Sequence, residues 1–156
     1  MNIFITGATA GFGEATAIRF AKEISAANPI KLILTGRRNE RLLKLKDTLL
    51  AQYAFLGLKV YTLCFDVRSA TETTKAIQSL PTEWQDIDVL INNAGLAKGM
   101  STIDEGSLED WNDMIDTNMK GLLHVSKEIM PLMKNRKKGH IINIGSTAGK
   151  AVYPKG

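Results

Sequence analysis

"NIFITGATAGFG", Asn2 to Gly13, holds the transition that decides the fold. Its first half, "NIFIT" (2–6), is a short apolar run and reads as a buried strand. Its second half, "TGATAGFG" (6–13), has the spacing T-G-x-x-x-G-x-G. Glycine tolerates positive φ in a tight turn and lets backbone N–H groups come close to an anion. Beyond it, Ala17, Phe20, Ala21 and Ile24 stand at i, i+3, i+4 and i+7, one face of a helix. A strand, a glycine turn and a helix in that order suit a phosphate cradle; the same spacing also serves a tight turn without a ligand.

Outward from this unit the pattern recurs. "KLILT" (31–35), "LKVYTLCF" (58–65), "DVLIN" (88–92) and "HIINIG" (140–145) read as four further strands. Leu42, Leu45 and Leu49 mark the helix after the second strand. "SATE" (69–72) has the spacing of a capping box and opens a helix that Pro81 closes. A long helix is expected from about Ser107 to Lys134, kinked by Pro131 in its last turns. Strands without polar alternation, separated by helices, predict an α/β fold: a doubly wound parallel sheet covered on both faces, in the order 3-2-1-4-5. One domain is expected over residues 1–156. Such sheets bind ligands at the carboxyl ends of their strands. The segments 6–13, 35–38, 66–68, 92–99 and 145–149 gather there.

Composition narrows the function classes. With 44% hydrophobic and 23% charged residues the chain can bury an ordinary globular core. The formal charge of +4 suits an anionic ligand. The densest basic run, Lys134 to Lys138, sits where a helix should end and complements its dipole, so it argues little for nucleic acid. The one cysteine, Cys64, cannot form an internal disulfide and is expected to be a small buried strand residue in a reducing compartment. The N-terminal stretch reads as neither a signal peptide nor a membrane span. These features point to a cytoplasmic protein with a small-molecule substrate and no metal, membrane or nucleic-acid partner.

Each remaining loop poses a choice. A NAD site usually has an acid near the second strand's end, holding ribose hydroxyls. Here that end carries Gly36, Arg37 and Arg38. Two guanidiniums can pair with a 2′-phosphate, whereas at a helix start they are otherwise mildly unfavourable. NADP is therefore favoured over NAD. Asp66 can accept from an adenine amino group or serve as a helix-start acid near Ser69. Asn92, Asn93, Ala94 and Gly95 can tie a loop and leave room for a flat ligand, or simply make a turn. Trp111, Ile115, Asn118 and Leu122 fall on one helix face, which makes Asn118 a polar residue in an apolar stripe. It reads as a structural amide or as an anchor beside an active site.

Together "TGATAGFG", "DV" at 66–67, "NNAG", Asn118 and "IINIGSTAG" resemble the short-chain dehydrogenase/reductase family, in its order and spacing. The resemblance implies a Rossmann-type fold, here truncated after the fifth strand, and hydride transfer with a nicotinamide cofactor. It implies Ser146 and Asn118 as members of an Asn-Ser-Tyr-Lys tetrad. Cofactor contacts would come from Gly7, Thr9, Gly11, Phe12, Gly13, Arg37, Arg38, Asp66, Val67, Asn93, Ala94 and Gly95. "TGRRNERL", "LPTEW" and "INNAGLAKGM" look like the NADP-dependent 3-hydroxy acid dehydrogenases, which act on serine and allo-threonine. A homo-oligomer, commonly a tetramer, is implied for the complete protein.

The family's Tyr-x-x-x-Lys follows its Ser by roughly thirteen positions, which lands past Gly156. Tyr153 and Lys155 are two apart, a spacing that does not share a helix face, and Pro154 lies between them. They are expected to be loop residues at the substrate rim. The chain reads as an N-terminal fragment, inactive alone. A cofactor-binding module without chemistry is the competing reading; Ser146 and Asn118 favour the enzyme.

Overall fold

The computed structural model describes residues 1–151; Tyr153 and Lys155 lie outside them. Strand β1 (Asn2–Ile5) leads into α1 (Gly11–Lys22), β2 (Lys31–Gly36) into α2 (Asn39–Tyr53) and β3 (Lys59–Cys64) into α3 (Ala70–Gln78). After β4 (Val89–Asn92) come α4 (Leu108–Ile115), α5 (Leu122–Asn135) and β5 (His140–Asn143). Among the described residues the five strands pair in one sheet, all parallel, in the order β3-β2-β1-β4-β5. This is the α/β architecture and strand order expected.

Alternate strand residues feed opposite layers. Ile3 and Ile5 pack with Ala17 and Ala21 of α1 and with Leu42, Leu45 and Leu49 of α2. Phe4, between them, joins Ile77 of α3 and Val125, Ile129 and Met133 of α5. Both faces of the central strands are thus covered, which is why their sequences carry no polar alternation.

At the amino end of the sheet, Asp88 ties three elements together. Its carboxylate accepts from the Asn2 N–H at 2.9 Å, Arg136 Nη2 at 2.7 Å and Lys138 Nζ at 3.0 Å. Arg136 also donates to the Ile87 carbonyl at 2.9 Å. Burial alone would raise the Asp88 carboxyl; the Asn2 N–H and the two cations outweigh it and bring it down to about 2. Two cations of the basic run therefore fasten the end of α5 to the start of β4.

Two expectations are corrected. The long helix is not uniformly α: Asp116–Gly121 form a π turn between α4 and α5. Cys64 is exposed rather than buried, because it ends an edge strand of the described sheet, with Sγ directed at the Arg37 carbonyl 3.6 Å away. Among the described residues no helix is long and apolar enough to cross a membrane.

Candidate active site

A cleft of about 1240 Å³ opens at the carboxyl edge of the sheet, lined from all five strand ends and from the π turn. It lies where the chain order reverses between β1 and β4, the usual ligand position in an open α/β sheet.

The floor is a knot between the ends of β1 and β4. The buried Thr6 hydroxyl accepts from the N–H groups of Asn93 and Ala94, each at 2.9 Å. In return Asn93 Nδ2 donates to the carbonyls of Thr6 at 2.9 Å and Gly7 at 3.2 Å. Gly7 takes φ +65°, and a Cβ there would stand 2.9 Å from Ala94 Cα. Gly11 takes φ +57° with nothing within 4 Å of a Cβ position, so its backbone faces open space. Helix α1 starts here without a side-chain cap at Ala10. Its first N–H groups can therefore meet an anion. Gly13 is different. It lies buried beneath the loop, where a Cβ would meet the Gly7 carbonyl oxygen at 2.3 Å and Asn93 Nδ2 at 2.5 Å. Its role in this geometry is close packing of helix on strand. Phe12 is 79% exposed at the cleft rim.

The second wall carries the arginines. Arg38 Nη2 donates to Thr9 Oγ1 at 2.9 Å, so buried Thr9 holds a guanidinium at the cleft. Arg37 extends beside it, its side chain half-exposed, with Nη1 3.5 Å from Asp66 Oδ2.

Asp66 is heavily engaged. Its Oδ1 accepts from the Arg68 N–H at 3.0 Å, and its Oδ2 accepts from Arg68 Nε at 2.9 Å with Arg68 Nη2 at 2.8 Å. Burial pushes the carboxyl up, but the Arg68 side chain and backbone bonds prevail and hold it below its ordinary value. Arg68 Nη1 continues to Asp113 Oδ1 on α4 at 2.6 Å, and Asp113 in turn accepts from Lys98 Nζ. The Ser69 hydroxyl caps α3 by accepting from the Glu72 N–H. The returning arm of the expected box goes elsewhere: Glu72 Oε2 accepts from the Asp66 N–H at 3.1 Å.

The π turn places Asn118. Trp111, Ile115, Asn118 and Leu122 do not form a buried face: Ile115 and Asn118 are exposed, while Thr117, Gly121 and Val125 are buried. One extra residue in the turn shifts the helix face, as π turns do. Asn118 Oδ1 accepts from the Leu96 N–H at 2.9 Å and its Nδ2 donates to the Leu96 carbonyl at 2.8 Å. The amide thus anchors the loop after β4. The same turn brings Gly121 so close that a Cβ would stand 2.7 Å from Val67 Cγ2, while His124 Nδ1 lies 2.9 Å from the Val67 carbonyl. Val67 is buried there and lines the cleft with Ala94 and Gly95.

Ser146 follows β5 in extended conformation and lines the cleft. Its hydroxyl oxygen accepts from the Ala148 N–H at 3.1 Å. The hydroxyl proton remains free to donate to a ligand.

Two site residues, Thr6 and Arg68, escaped the reading of the sequence. Thr6 carried a signal, as the one hydroxyl between an apolar strand and the first glycine. Arg68 had none, since an arginine before a helix is ordinary. Asn92, which the doubled Asn had marked as a loop tie, donates to Ser126 Oγ at 3.0 Å and Asn143 Oδ1 at 2.9 Å beneath the cleft.

A family profile described as short chain dehydrogenase matches residues 1–156. The chain belongs to the short-chain dehydrogenase family. Among similar short-chain dehydrogenases, the NADP-dependent 3-hydroxy acid dehydrogenase YdfG of Salmonella typhi is 49% identical over 156 residues, 100% of this chain and 58% of the relative. Serine 3-dehydrogenase of Rhizobium radiobacter is 45% identical over 153 residues, 98% of this chain and 55% of the relative. A solved closed form of serine dehydrogenase complexed with NADP+ superposes with a TM-score of 0.86 at 47% identity, covering 100% of this chain and 58% of that one. The chain therefore spans a little over half the length of the relatives it matches.

Proposed function

We propose that the protein carrying this chain is an NADP-dependent oxidoreductase that moves hydride between the nicotinamide and the CH–OH or C=O carbon of a small 3-hydroxy acid, such as serine or allo-threonine. The observation that carries the reading is the pair Arg37 and Arg38 at the cleft end of β2, where the strand tip has no acid. The names of the similar dehydrogenases support the same cofactor and substrate class.

The residues present fit a dinucleotide. The uncapped start of α1, with Gly7 and Gly11 in left-handed conformations, suits a pyrophosphate. Arg37 and Arg38, the latter steadied by Thr9, suit the 2′-phosphate. Asp66 and Val67 border the adenine side, and Asn93, Ala94 and Gly95 form the central floor. Phe12 covers the rim. Gly13 serves the site by keeping α1 against β1. When bound, the cofactor supplies the nicotinamide carbon that gives or takes hydride. Ser146 donates its hydroxyl proton in a hydrogen bond to the substrate oxygen, while the Ala148 N–H holds the serine oxygen in place. Asn118 holds Leu96 and keeps one N–H and one lone pair for a water in the cleft. Loss of the hydroxyl proton with hydride departure needs a base of lowered pKa. By family resemblance that base is a Tyr-x-x-x-Lys pair; residues 1–156 hold no such spacing.

A homo-oligomer, tetrameric by family resemblance, fits the exposed apolar row Ile115, Met119, Leu123 and Met130 on α4, the π turn and α5. A reducing cytoplasmic setting fits the unpaired Cys64.

The test is oxidation of serine and allo-threonine by the full-length protein with NADP and with NAD. A strong preference for NADP is expected. Changing Arg37 and Arg38 to Ala should weaken NADP by tenfold or more, since bonds to charged groups are worth about 1.5–3 kcal/mol each. Equal use of both cofactors by the unmodified protein would overturn the reading.

A further inference from the structure

We infer that Arg68 is a positioning residue for cofactor choice: by occupying Asp66, it keeps Arg37 available to a 2′-phosphate. The inference rests on the NADP reading above and explains how an acid can stand beside the phosphate site without defeating it.

Asp66 and Arg37 line the same cleft, and their side chains reach each other across the ends of β3 and β2. A carboxylate this near a guanidinium normally captures it in a forked pair, and a captured guanidinium is a poorer phosphate ligand. The capture does not happen here. Arg37 Nη1 stops at 3.5 Å from Asp66 Oδ2, a marginal contact. Both carboxylate oxygens are instead taken by Arg68, through its N–H, Nε and Nη2 at 3.0, 2.9 and 2.8 Å. Arg68 cannot swing to the phosphate itself without abandoning Asp113, whose Oδ1 accepts from Nη1 at 2.6 Å. Asp113 is fixed in its turn by Lys98. The charges alternate along the row Arg37, Asp66, Arg68, Asp113, Lys98, and the only loosely held member at the cofactor end is Arg37. Its side chain is 53% exposed, against 32% for Arg68. Remove Arg68, and the nearest cation left to satisfy Asp66 is Arg37.

The test measures, by calorimetry on the full-length protein, the dissociation constants of 2′,5′-ADP and 5′-AMP. Their ratio isolates the 2′-phosphate. In the unmodified protein the ratio should favour 2′,5′-ADP strongly; a ratio near one would overturn the NADP reading itself. Arg68→Gln should lower the preference by about tenfold, the scale of one hydrogen bond to a charged group. In an Asp66→Asn background the same substitution should lower it less than about twofold, because the competing carboxylate is gone; the non-additivity is the signature. An unchanged ratio in Arg68→Gln overturns the inference and leaves the NADP reading standing. An equal loss in both backgrounds also overturns it, since Arg68 would then act on the phosphate directly. Should Arg68→Gln fail to fold, Asp66→Asn alone decides: little change supports the inference, and a tenfold gain means that Asp66 already holds Arg37.

Discussion

Thr6 and Asn93 hold each other reciprocally: the Thr6 hydroxyl accepts from the Asn93 N–H, and the Asn93 amide donates to the Thr6 carbonyl, both at 2.9 Å. The exchange locks the ends of β1 and β4 at the point where the strand order reverses. Thr6→Val keeps the shape and removes the acceptor, stranding the N–H groups of Asn93 and Ala94. Stability should fall by about 1–3 kcal/mol for each group left unpaired. Urea unfolding of the two forms measures it, and Thr6→Ser should recover most of the loss.

Gly13 sits where no side chain fits. Gly13→Ala drives a Cβ into the Gly7 carbonyl oxygen, at 2.3 Å, with the Asn93 amide as its next neighbour. Backbone must move, so about 1–3 kcal/mol or more of overpacking strain is expected. The cofactor loop shifts with it. Thermal melting and NADPH fluorescence should fail together; a variant that binds NADPH normally would show that the loop tolerates the displacement.

Ser146→Ala removes a hydroxyl that does two things. It caps a short turn through Ala148, so a stability loss near the low end of about 0.5–2 kcal/mol is expected for this exposed position. Turnover by the full-length protein should fall by about 10²-fold or more, the scale of losing a donor to a reacting oxygen. A large drop in melting temperature with intact turnover would make Ser146 a turn residue alone.

The Asp88 carboxyl, down at about 2 from an ordinary 3.8, favours the folded state above its ordinary value, and this contribution is lost as pH falls through about 2. With solvent screening the effect is on the order of 1–2 kcal/mol. Unfolding free energies between about pH 5 and pH 2 should decline more steeply for the unmodified protein than for Asp88→Asn.

What the sequence displayed depended on whether a local pattern carried the information. The strands were legible because Ile3, Phe4 and Ile5 are all apolar, as burial on two faces requires. The start of α3 was legible because Ser69 and Glu72 stand at capping distance. The helix through Asn118 was legible as a helix but not in its facing. A π turn adds a residue without changing composition, so a 3.6-residue period assigned Ile115 and Asn118 to the core when Thr117 and Gly121 hold it. Asn118 still belonged to the cleft, for another reason: its exposed amide reaches Leu96. Arg68 was illegible because its partners, Asp66 and Asp113, come from separate elements that only the fold brings together.

The strand order has a consequence during synthesis. β1 and β2 leave the ribosome early and can pair, but the other side of β1 stays open until β4, at Val89–Asn92, has been made. At translation rates of about 5–20 residues per second this leaves an apolar strand edge unpaired for several seconds. The nascent chain in that interval presents a sticky template with Thr6 lacking its Asn93 partner. Until β4 arrives, a chaperone bound to that edge would protect the chain without obstructing the β1–β2–β3 half.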